Sequence, residues 1–586
     1  MKSRGKNYLY SAMMDELQAH KPTNWDEISN LLTGYSLVGP KIENSNQDDF
    51  RQKVRTGIAF WTFDFGIDGV SIEIAKYAQC LQDILRNKKE TQIHFIAGDF
   101  HPQADNVLKP EWKRHRIERA NGWSKWDQGL WFDKLFYQEM PENSEISRQM
   151  AVEIWSQAVE MAQKLGQYVA ENNISLLIPV NVNSNPGNFV TGLCTVLVSE
   201  LMGLYVLNSN HDFYWEGGKP ASERAPGEKA GPRDKFFRNC HNAPFFSLFR
   251  RIYPWNGSRW IQVNINHLQS QKLLEAGFPK DRVFEISTMV SDEFFREYTR
   301  ADIRSVRRRM ALILSDGKPL IVPVSIESFA LDLGNWMKDQ KPLVCSAKDG
   351  LTLDLVSDQL HYFLQPTRII DRKRIEKDWQ LIAALLQHPP FRDVFLKDEK
   401  RQIILHITGP APIEHQADLE SVLTAYRKAI HPLQESVANR IFMAFSIGTE
   451  YHTSFEKYHL KKLTIEDIYR LATVVVFPSL TEGRGLPIIE SSAAGVPIIS
   501  SRYQPEEVFA SVVGEDSPEE HQIRYIPFPE NEFNDSTLDE ITELLLDPQS
   551  RMEDNQHNIR VARQRYSRQA LHISFNKYLE RLRVSK

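Results

Sequence analysis

The chain has 586 residues, 41% of them hydrophobic and 25% charged, with a formal net charge of -5. That length exceeds one typical core and predicts two or more domains of an ordinary globular protein. The charge balance excludes a generally basic nucleic-acid-binding surface, though not a local basic cleft.

In chain order, residues 1–54 are polar with scattered apolar positions and predict a helical extension, with Tyr8, Leu9, Met13 and Leu17 as a packing stripe. The start lacks the apolar core of a signal peptide. From Arg55 the texture changes: "TGIAFWTF" predicts a strand, "DFGIDG" a loop, and "VSIEIAKYAQCLQDIL" an amphipathic helix. "TQIHFIAG", "ISLLIPVNV" and "LYVLNSNHD" are further strand-like runs with helical patterns between them. The stretch "NGWSKWDQGLWFDKLFYQEM", with Trp123, Trp126, Trp131, Phe132 and Phe136, reads as a packed insertion, and "GGKPASERAPGEKAGPRDKF" as a loop. "VTGLCTVLVSELMGLYVL" is interrupted by Glu200 and Gly203, so it reads as a buried helix followed by a strand rather than a membrane span.

The pattern pauses near residues 312–319 and restarts with "KPLIVPVSI", "HYFLQPTRII", "QIILHITGP", "RIFMAFSI", "ATVVVFPS" and "VPIISS". Strands alternating with helices predict parallel pairing in doubly wound sheets. The expectation is an α/β chain of two Rossmann-like domains facing a cleft, residues 55–312 and 313–548, followed by a terminal helix in 549–586 that packs back on the first domain. Leu571, Phe575, Tyr578 and Leu582 share one face of that helix. Cys80, Cys194, Cys240 and Cys345 lie far apart without a Cys-x-x-Cys pair, so they predict buried thiols in a reducing, cytoplasmic setting and not a zinc site or disulfide framework.

The chemistry concentrates in "FPSLTEGRGLPIIE", residues 477–490. A strand ends near Pro478, Gly483 and Gly485 permit unusual backbone angles, and a helix starts at Leu486 with Pro487 in its first turn. Unsatisfied N–H groups at such a start can hold a phosphate or diphosphate. Glu482 and Glu490 flank that position. Carboxylates accept two hydrogen bonds from vicinal hydroxyls, so a ligand with polyols at both ends and phosphates between them, a nucleotide sugar, suits the pattern. The spacing is equally compatible with a solvated loop residue and a helix-surface residue. In "LQPTRIIDRKRIE", Arg368 and Lys373 lie five apart at a strand-to-helix turn. A guanidinium fork and an ammonium there suit a leaving diphosphate; the alternative is a plain basic helix start.

The segment "PSLTEGRGLPIIESSAAGVPII" resembles the E-x7-E signature of family-4 retaining glycosyltransferases of the GT-B fold. The resemblance implies that Glu482 faces the donor sugar, Glu490 binds the nucleotide ribose, and the backbone at Gly485 and Leu486 touches the diphosphate. Arg484 stands where the family has an aromatic, implying a more cationic pocket. Arg368 and Lys373 match the family's R-x4-K pair, with Arg374 at the usual glycine, which leaves the tightness of that loop in question; Arg372 reads as a solvated charge. Gly66 and Gly69 match the glycine loop beside acceptor and phosphates, and His211 matches a histidine that contacts the donor sugar. "ISTMVSDEF" stands at the family's linker strand.

"QPTRI", "HDFYWE" and their surroundings are similar to one branch, the mannosylglucosylglycerate synthase-like enzymes, which join a nucleotide sugar to a small anionic glycoside. The basic loop around Arg224 and Lys229 fits an anionic acceptor or is a solvated connector. The resemblance therefore implies a retaining hexosyltransferase using a nucleotide-diphosphate sugar as co-substrate, with no further cofactor. No Asp-x-Asp pair occurs in the chain, so a metal-free mechanism is expected. The rivals are a sugar-nucleotide-binding or scaffolding protein without turnover, and a GT-B phosphorylase or epimerase. The base, sugar, acceptor and any homo-oligomer are not specified.

Overall fold

The computed structural model describes residues 2–38, 46–66, 69–86, 90–122, 130–286, 288–315, 321–412, 415–447 and 452–584. The chain divides into two compact units: residues 1–289 with 571–586, and residues 290–570.

In the first unit, seven parallel strands form one sheet. They are β1 (Ile58–Phe65), β2 (Ile93–Phe100), β3 (Lys113–Arg116), β4 (Leu176–Pro179), β5 (Tyr205–Asn210), β6 (Trp260–Asn264) and β7 (Val283–Glu285), in the order β3-β2-β1-β4-β5-β6-β7. The central strands are buried on both faces, which is why they read as continuous apolar runs. The helix Phe189–Met202 follows β4. Asn188 caps its first turn, and Gly203, at φ 62°, ends it in the left-handed conformation that favours glycine. It is buried almost all round, which makes it a core helix.

Residues 2–38 do not form a separate extension. Met13, Leu17, Trp25, Ile28 and Leu32 lie in the same core as the helices Glu145–Glu171 and Phe189–Met202, and Trp25 Nε1 donates to Ser147 Oγ at 3.0 Å. Of the expected stripe, Tyr8 is exposed instead and Leu9 only half-buried. Leu571, Phe575, Tyr578 and Leu582 are buried within the first unit, where Phe575 meets Tyr77 edge-on and Tyr578 Oη bonds the Glu285 carbonyl at 2.5 Å. Trp131, Phe132 and Phe136 are core residues; Trp123 and Trp126 lie outside the described residues. The loop after Trp215 is laced together by Asp234, which accepts from the Lys219 and Gly231 backbone and draws in Arg224 at 3.9 Å.

The second unit begins at Val290, earlier than the pause near residue 312 suggested. Helix Arg300–Leu314 belongs to it because Arg309 donates to the Lys461 and Lys462 carbonyls and pairs with Asp467. Helix Met552–Tyr566 is also part of this unit, so only the chain from Leu571 returns to the first. Its sheet runs β15-β14-β13-β10-β11-β12-β9-β8. These strands are β8 (Val324–Ser325), β9 (Leu343–Ser346), β10 (Leu360–Gln365), β11 (Gln402–Ile407), β12 (Ile441–Phe445), β13 (Val474–Phe477), β14 (Ile498–Ser500) and β15 (Ile526–Pro527). All pair in parallel except β9, which runs antiparallel to β12. In place of the expected linker strand, the described part of residues 286–294 contains a short 3-10 turn starting at Asp292. Three of the four cysteines are buried as expected, but Cys240 is exposed.

Three histidines are built into the sheets as neutral groups. Burial pulls the pKa of His94 and His361 down to about 4 and that of His406 to about 3. His406 lies between Tyr362 Oη and Ser446 Oγ. Below pH about 6.5 the unfolded chain binds protons that these groups refuse when folded. Stability is thus fully present above that pH and is lost as the pH falls toward about 4, by up to about 1.4 kcal/mol per pH unit per histidine. Unfolding followed at pH 7 and pH 5 should show this drop, and a His361→Gln, His406→Gln double variant should show a shallower one.

Candidate functional site

In a doubly wound sheet, ligands sit beyond the carboxyl ends of the strands where the strand order reverses. In the second unit the chain runs outward from β10 through β11 to β12, then returns to place β13 on the other side of β10. The reversal therefore falls between β10 and β13. The loop after β10 carries Arg368 and Lys373, and the loop after β13 carries Glu482 and Gly485. The two motifs, more than a hundred residues apart in sequence, meet at that point.

Lys373 and Glu482 are both buried and form a direct ion pair through Nζ and Oε1. Ser479 Oγ donates to the same carboxylate oxygen at 2.5 Å. The Lys373 ammonium also lies 5.7 Å from the centre of the Phe477 ring. Burial lowers the Lys373 pKa, and the facing carboxylate opposes that shift. Arg372 is not simply solvated: it donates to the Thr481 carbonyl, its guanidinium lies 3.6 Å from Glu482, and its own carbonyl accepts from Leu480 N at 2.8 Å. The Glu482 segment is pinned on its other side by Gln504, whose carbonyl accepts from Glu482 N at 2.9 Å.

Arg374 has φ 52° and ends the turn Asp371–Lys373 in the left-handed conformation of the glycine it replaces. That conformation costs a side-chain-bearing residue about 1–2 kcal/mol. Its guanidinium reaches Glu530 at 3.3 Å, and Lys377 Nζ donates to the Glu530 carbonyl at 2.6 Å. The loop is therefore as tight as a glycine would make it. Arg368, five residues upstream of Lys373, is exposed.

Gly485 is the N-cap of helix Leu486–Ala494, with φ 59°. A Cβ there would lie 2.2 Å from Tyr503 Oη, so both the angle and the space demand glycine. No side chain caps this helix, and Pro487 occupies its first turn. Leu486 is exposed and Arg484 half-buried. One turn into the helix, Glu490 accepts from Tyr469 Oη at 2.7 Å. Arg368, Lys373, Glu482, Arg484, Gly485, Leu486 and Glu490 thus all belong to the two loops and one helix start at the β10–β13 reversal.

His211, Gly66 and Gly69 belong to the first unit. Gly66 follows β1, Asn181 follows β4 and His211 follows β5, so they line the carboxyl edge at that sheet's own reversal, between β1 and β4, and one strand beyond it. Gly66 N donates to Ser71 Oγ at 3.2 Å, and a Cβ on Gly69 would meet open space. Asn181, at φ 60°, accepts from the backbone N–H groups of His211 at 2.8 Å and Asp212 at 3.1 Å. The His211 ring is buried and lies 3.2 Å from Ser209 Oγ. Nearby, Glu216 accepts from Phe213 N and Gln269 Nε2, and burial raises its pKa.

Sequence reasoning missed the residues that support these groups: Ser479, Tyr469, Tyr503, Asn181 and Gly409. Gly409 follows β11, and a Cβ there would lie 2.1 Å from the Thr367 carbonyl group and 2.4 Å from Arg368 N. Ile369 N also donates to the Pro410 carbonyl at 2.9 Å. The glycine in "HITGP" was a signal of close backbone approach, but only the fold identifies what approaches. Among the described residues, no three His, Cys, Asp or Glu side chains cluster as metal ligands would, and no helix is long and apolar enough to cross a membrane.

Gly409→Ala should cost about 1–3 kcal/mol of stability through overpacking against backbone, or displace the Arg368 loop. Gly483→Ala, whose Cβ meets open space, should cost far less. Thermal unfolding of the two variants beside the parent chain measures the difference.

Residues 353–522 match the family model described as "Glycosyl transferases group 1". The match lies within the second unit and spans every motif residue at its strand reversal. The chain is similar to mannosylglucosylglycerate synthase of Petrotoga mobilis, at 21% identity over 497 residues, covering 82% of this chain and 91% of the relative. Among solved structures it is similar to Anabaena HepE in complex with UDP and glucose, at 11% identity, TM-score 0.49, covering 89% of this chain and 99% of that one. It is also similar to a sucrose-phosphate synthase from Thermosynechococcus elongatus, at 14% identity, TM-score 0.46, covering 90% and 100%. The strand orders above are the basis of the fold assignment. Residues 353–522 thus match a glycosyl transferases group 1 domain, and the chain's two doubly wound units fit a glycosyltransferase of the GT-B fold.

Proposed function

We propose that this glycosyltransferase moves a hexose from a nucleotide-diphosphate sugar to a hydroxyl of a small acceptor, with retention of anomeric configuration and without a metal. The observation that carries the reading is the buried Lys373–Glu482 pair beside the uncapped helix start at Gly485, at the strand reversal. The diphosphate would rest on the N–H groups opening helix Leu486–Ala494, with Arg368 and Lys373 against its oxygens. Glu482 would accept from sugar hydroxyls, and Glu490, oriented by Tyr469, from the ribose. Arg484 would add positive charge to the same pocket. On the first unit, His211, Gly66 and Gly69 would meet sugar and acceptor groups.

In the reaction the bond from the anomeric carbon to the diphosphate oxygen breaks, and its electron pair leaves on the diphosphate. The acceptor oxygen forms the new bond on the face that the diphosphate vacates. The acceptor's proton passes to a diphosphate oxygen, so no strong protein base is required. Arg368, Lys373 and the helix N–H groups would stabilise the departing charge, which is where preorganised donors act most strongly. Similarity to a mannosylglucosylglycerate synthase supports a small glycoside acceptor, with an anionic one the first to test. The enzyme would work in the cytoplasm with no cofactor beyond its nucleotide-sugar substrate.

The test is to incubate the purified chain with UDP-, GDP- and ADP-hexoses, with and without small glycosides, and to follow nucleotide release and the anomeric signal of the product. Acceptor-dependent release with retained configuration, unaffected by chelator, is expected. Inversion, or loss of activity with chelator, overturns the mechanism. Dependence on inorganic phosphate would mark a phosphorylase, reaction without acceptor an epimerase, and no turnover with any donor a binding protein. Arg368→Ala should lower turnover by at least ~10²-fold with the nucleotide still bound. Glu490→Ala should weaken binding of the nucleoside diphosphate itself, read by calorimetry; unchanged affinity would remove its ribose role.

A further inference from the structure

The first unit contains a cavity of about 940 Å³ that none of the proposed donor or acceptor groups occupies. Its size is within the range of small-molecule sites, about 300–1,000 Å³. Much of its wall comes from the carboxyl ends of helices Ala243–Ile252 and His267–Glu275 and from the turn that leads into β6. Both helices connect parallel strands and so run back against them. That part of the wall therefore lies toward the amino ends of the strands, while Tyr214, Trp215, Cys240 and Ala243 extend the lining to the loop that follows His211 and to the amino end of the first of these helices.

Three cations line the cavity: Arg250, Arg251 and Lys272. Glu275 is the carboxylate among the lining residues, and among the described residues none of the three cations is in an ion pair. Arg251 is held ready. Its Nη1 donates to Ser29 O at 2.8 Å and to Thr33 Oγ1 at 2.8 Å, and its guanidinium lies 4.8 Å from the Trp255 ring centre. Burial lowers its pKa, and the Glu200 carboxylate opposes that shift. Arg250 lies beside the Tyr214 hydroxyl. The half-buried rings of Trp215 and Phe246 supply aromatic surface on the same wall.

A guanidinium fork beside an ammonium matches a carboxylate or phosphate. Aromatic surface matches the C–H face of a sugar ring. We propose that this cavity is a second binding site, for an anionic saccharide. Its acid group would sit on Arg250, Arg251 and Lys272, and its ring on Trp215 and Phe246. The proposal is independent of the donor-site reading, because no residue lining the cavity has a role in that reading and protection of Cys240 is read without turnover.

Cys240 makes the test local. It lines the cavity and is exposed, whereas Cys80, Cys194 and Cys345 are buried. Alkylation of Cys240 in the native full-length chain by neutral iodoacetamide, followed by mass spectrometry, reports whether the cavity is filled. The probes are digalacturonate and glucosyl phosphate as anionic sugars, cellobiose as a neutral sugar, inorganic phosphate and acetate as bare anions, and phosphatidylglycerol vesicles. At about ten times its Kd, an anionic sugar should slow alkylation about tenfold. Cellobiose and the bare anions should have little effect. An Arg250→Ser, Lys272→Ser variant, changed at two exposed positions, should lose this protection and keep the parent unfolding temperature and nucleotide release. Equal protection by phosphate or acetate alone, protection by vesicles alone, or no protection by either sugar acid would each overturn the proposal. So would protection that survives in the double variant.

Discussion

An ammonium and a carboxylate held against each other away from water set the local order of the second unit. Taking both charges out of solvent costs several kcal/mol per ion, and only close geometry with further hydrogen bonds recovers that cost. The fold supplies these in the Lys373–Glu482 contact, the Ser479 hydroxyl and the Phe477 ring beneath. Because Lys373 comes from the loop after β10 and Glu482 from the loop after β13, the pair fixes two loops to each other at the one place where neighbouring strands diverge. Arg372 strengthens that join through backbone contacts with residues 480 and 481. Such a pair is weak evidence for stability but strong evidence for preorganisation. In the proposed function that lysine would meet a second anion, and its companion carboxylate would meet hydroxyl groups.

The shell around the pair follows the same logic. Gly409 lets the β11 loop press on the backbone at Thr367 and Arg368, and Gly485 leaves room for Tyr503 under the helix start. Beneath them Thr367 Oγ1 donates to Gln365, and Gln365 donates to Asp378, whose carboxyl burial holds well above its ordinary value. Polar side chains inside this unit thus gather at the carboxyl edge, while the strand interiors are mainly aliphatic and aromatic. The first unit carries a comparable polar interior on β5 and β6, where Asn208, Asn210, Gln262 and Asn264 are joined by amide hydrogen bonds that lead toward the His211 loop. Buried amides joined in this way specify register, since a one-residue slip would strand them in an apolar core.

What could be read beforehand depended on how local its cause was. Strands buried on both faces announced themselves as apolar runs, and Gly203 separated the helix after β4 from the next strand. β3, "KRHR", could not be found this way: as an edge strand its side chains are mostly exposed, and only pairing with β2 makes it a strand. The antiparallel direction of β9 was equally hidden, because periodicity carries no direction. The N-terminal helices looked like an appendage because their apolar positions are few, yet Trp25 and Met13 complete the first unit's core. Cys240 looked like its buried counterparts because a lone cysteine has no sequence mark of exposure.

The amino-acid sequence by itself determined the alternation of strands and helices and the two motif loops. It also determined the glycine and carboxylate chemistry of residues 482–490, since each is written in neighbouring residues. The tertiary structure alone decided that Lys373 faces Glu482, that Tyr469 holds Glu490, that Arg374 takes a glycine's conformation, and that three cations meet aromatic rings in one cavity. The physical reason is range. Propensity, turn geometry and hydrophobic period act over a few residues, whereas burial and Coulomb contact act between whatever the sheet order brings within a few ångströms.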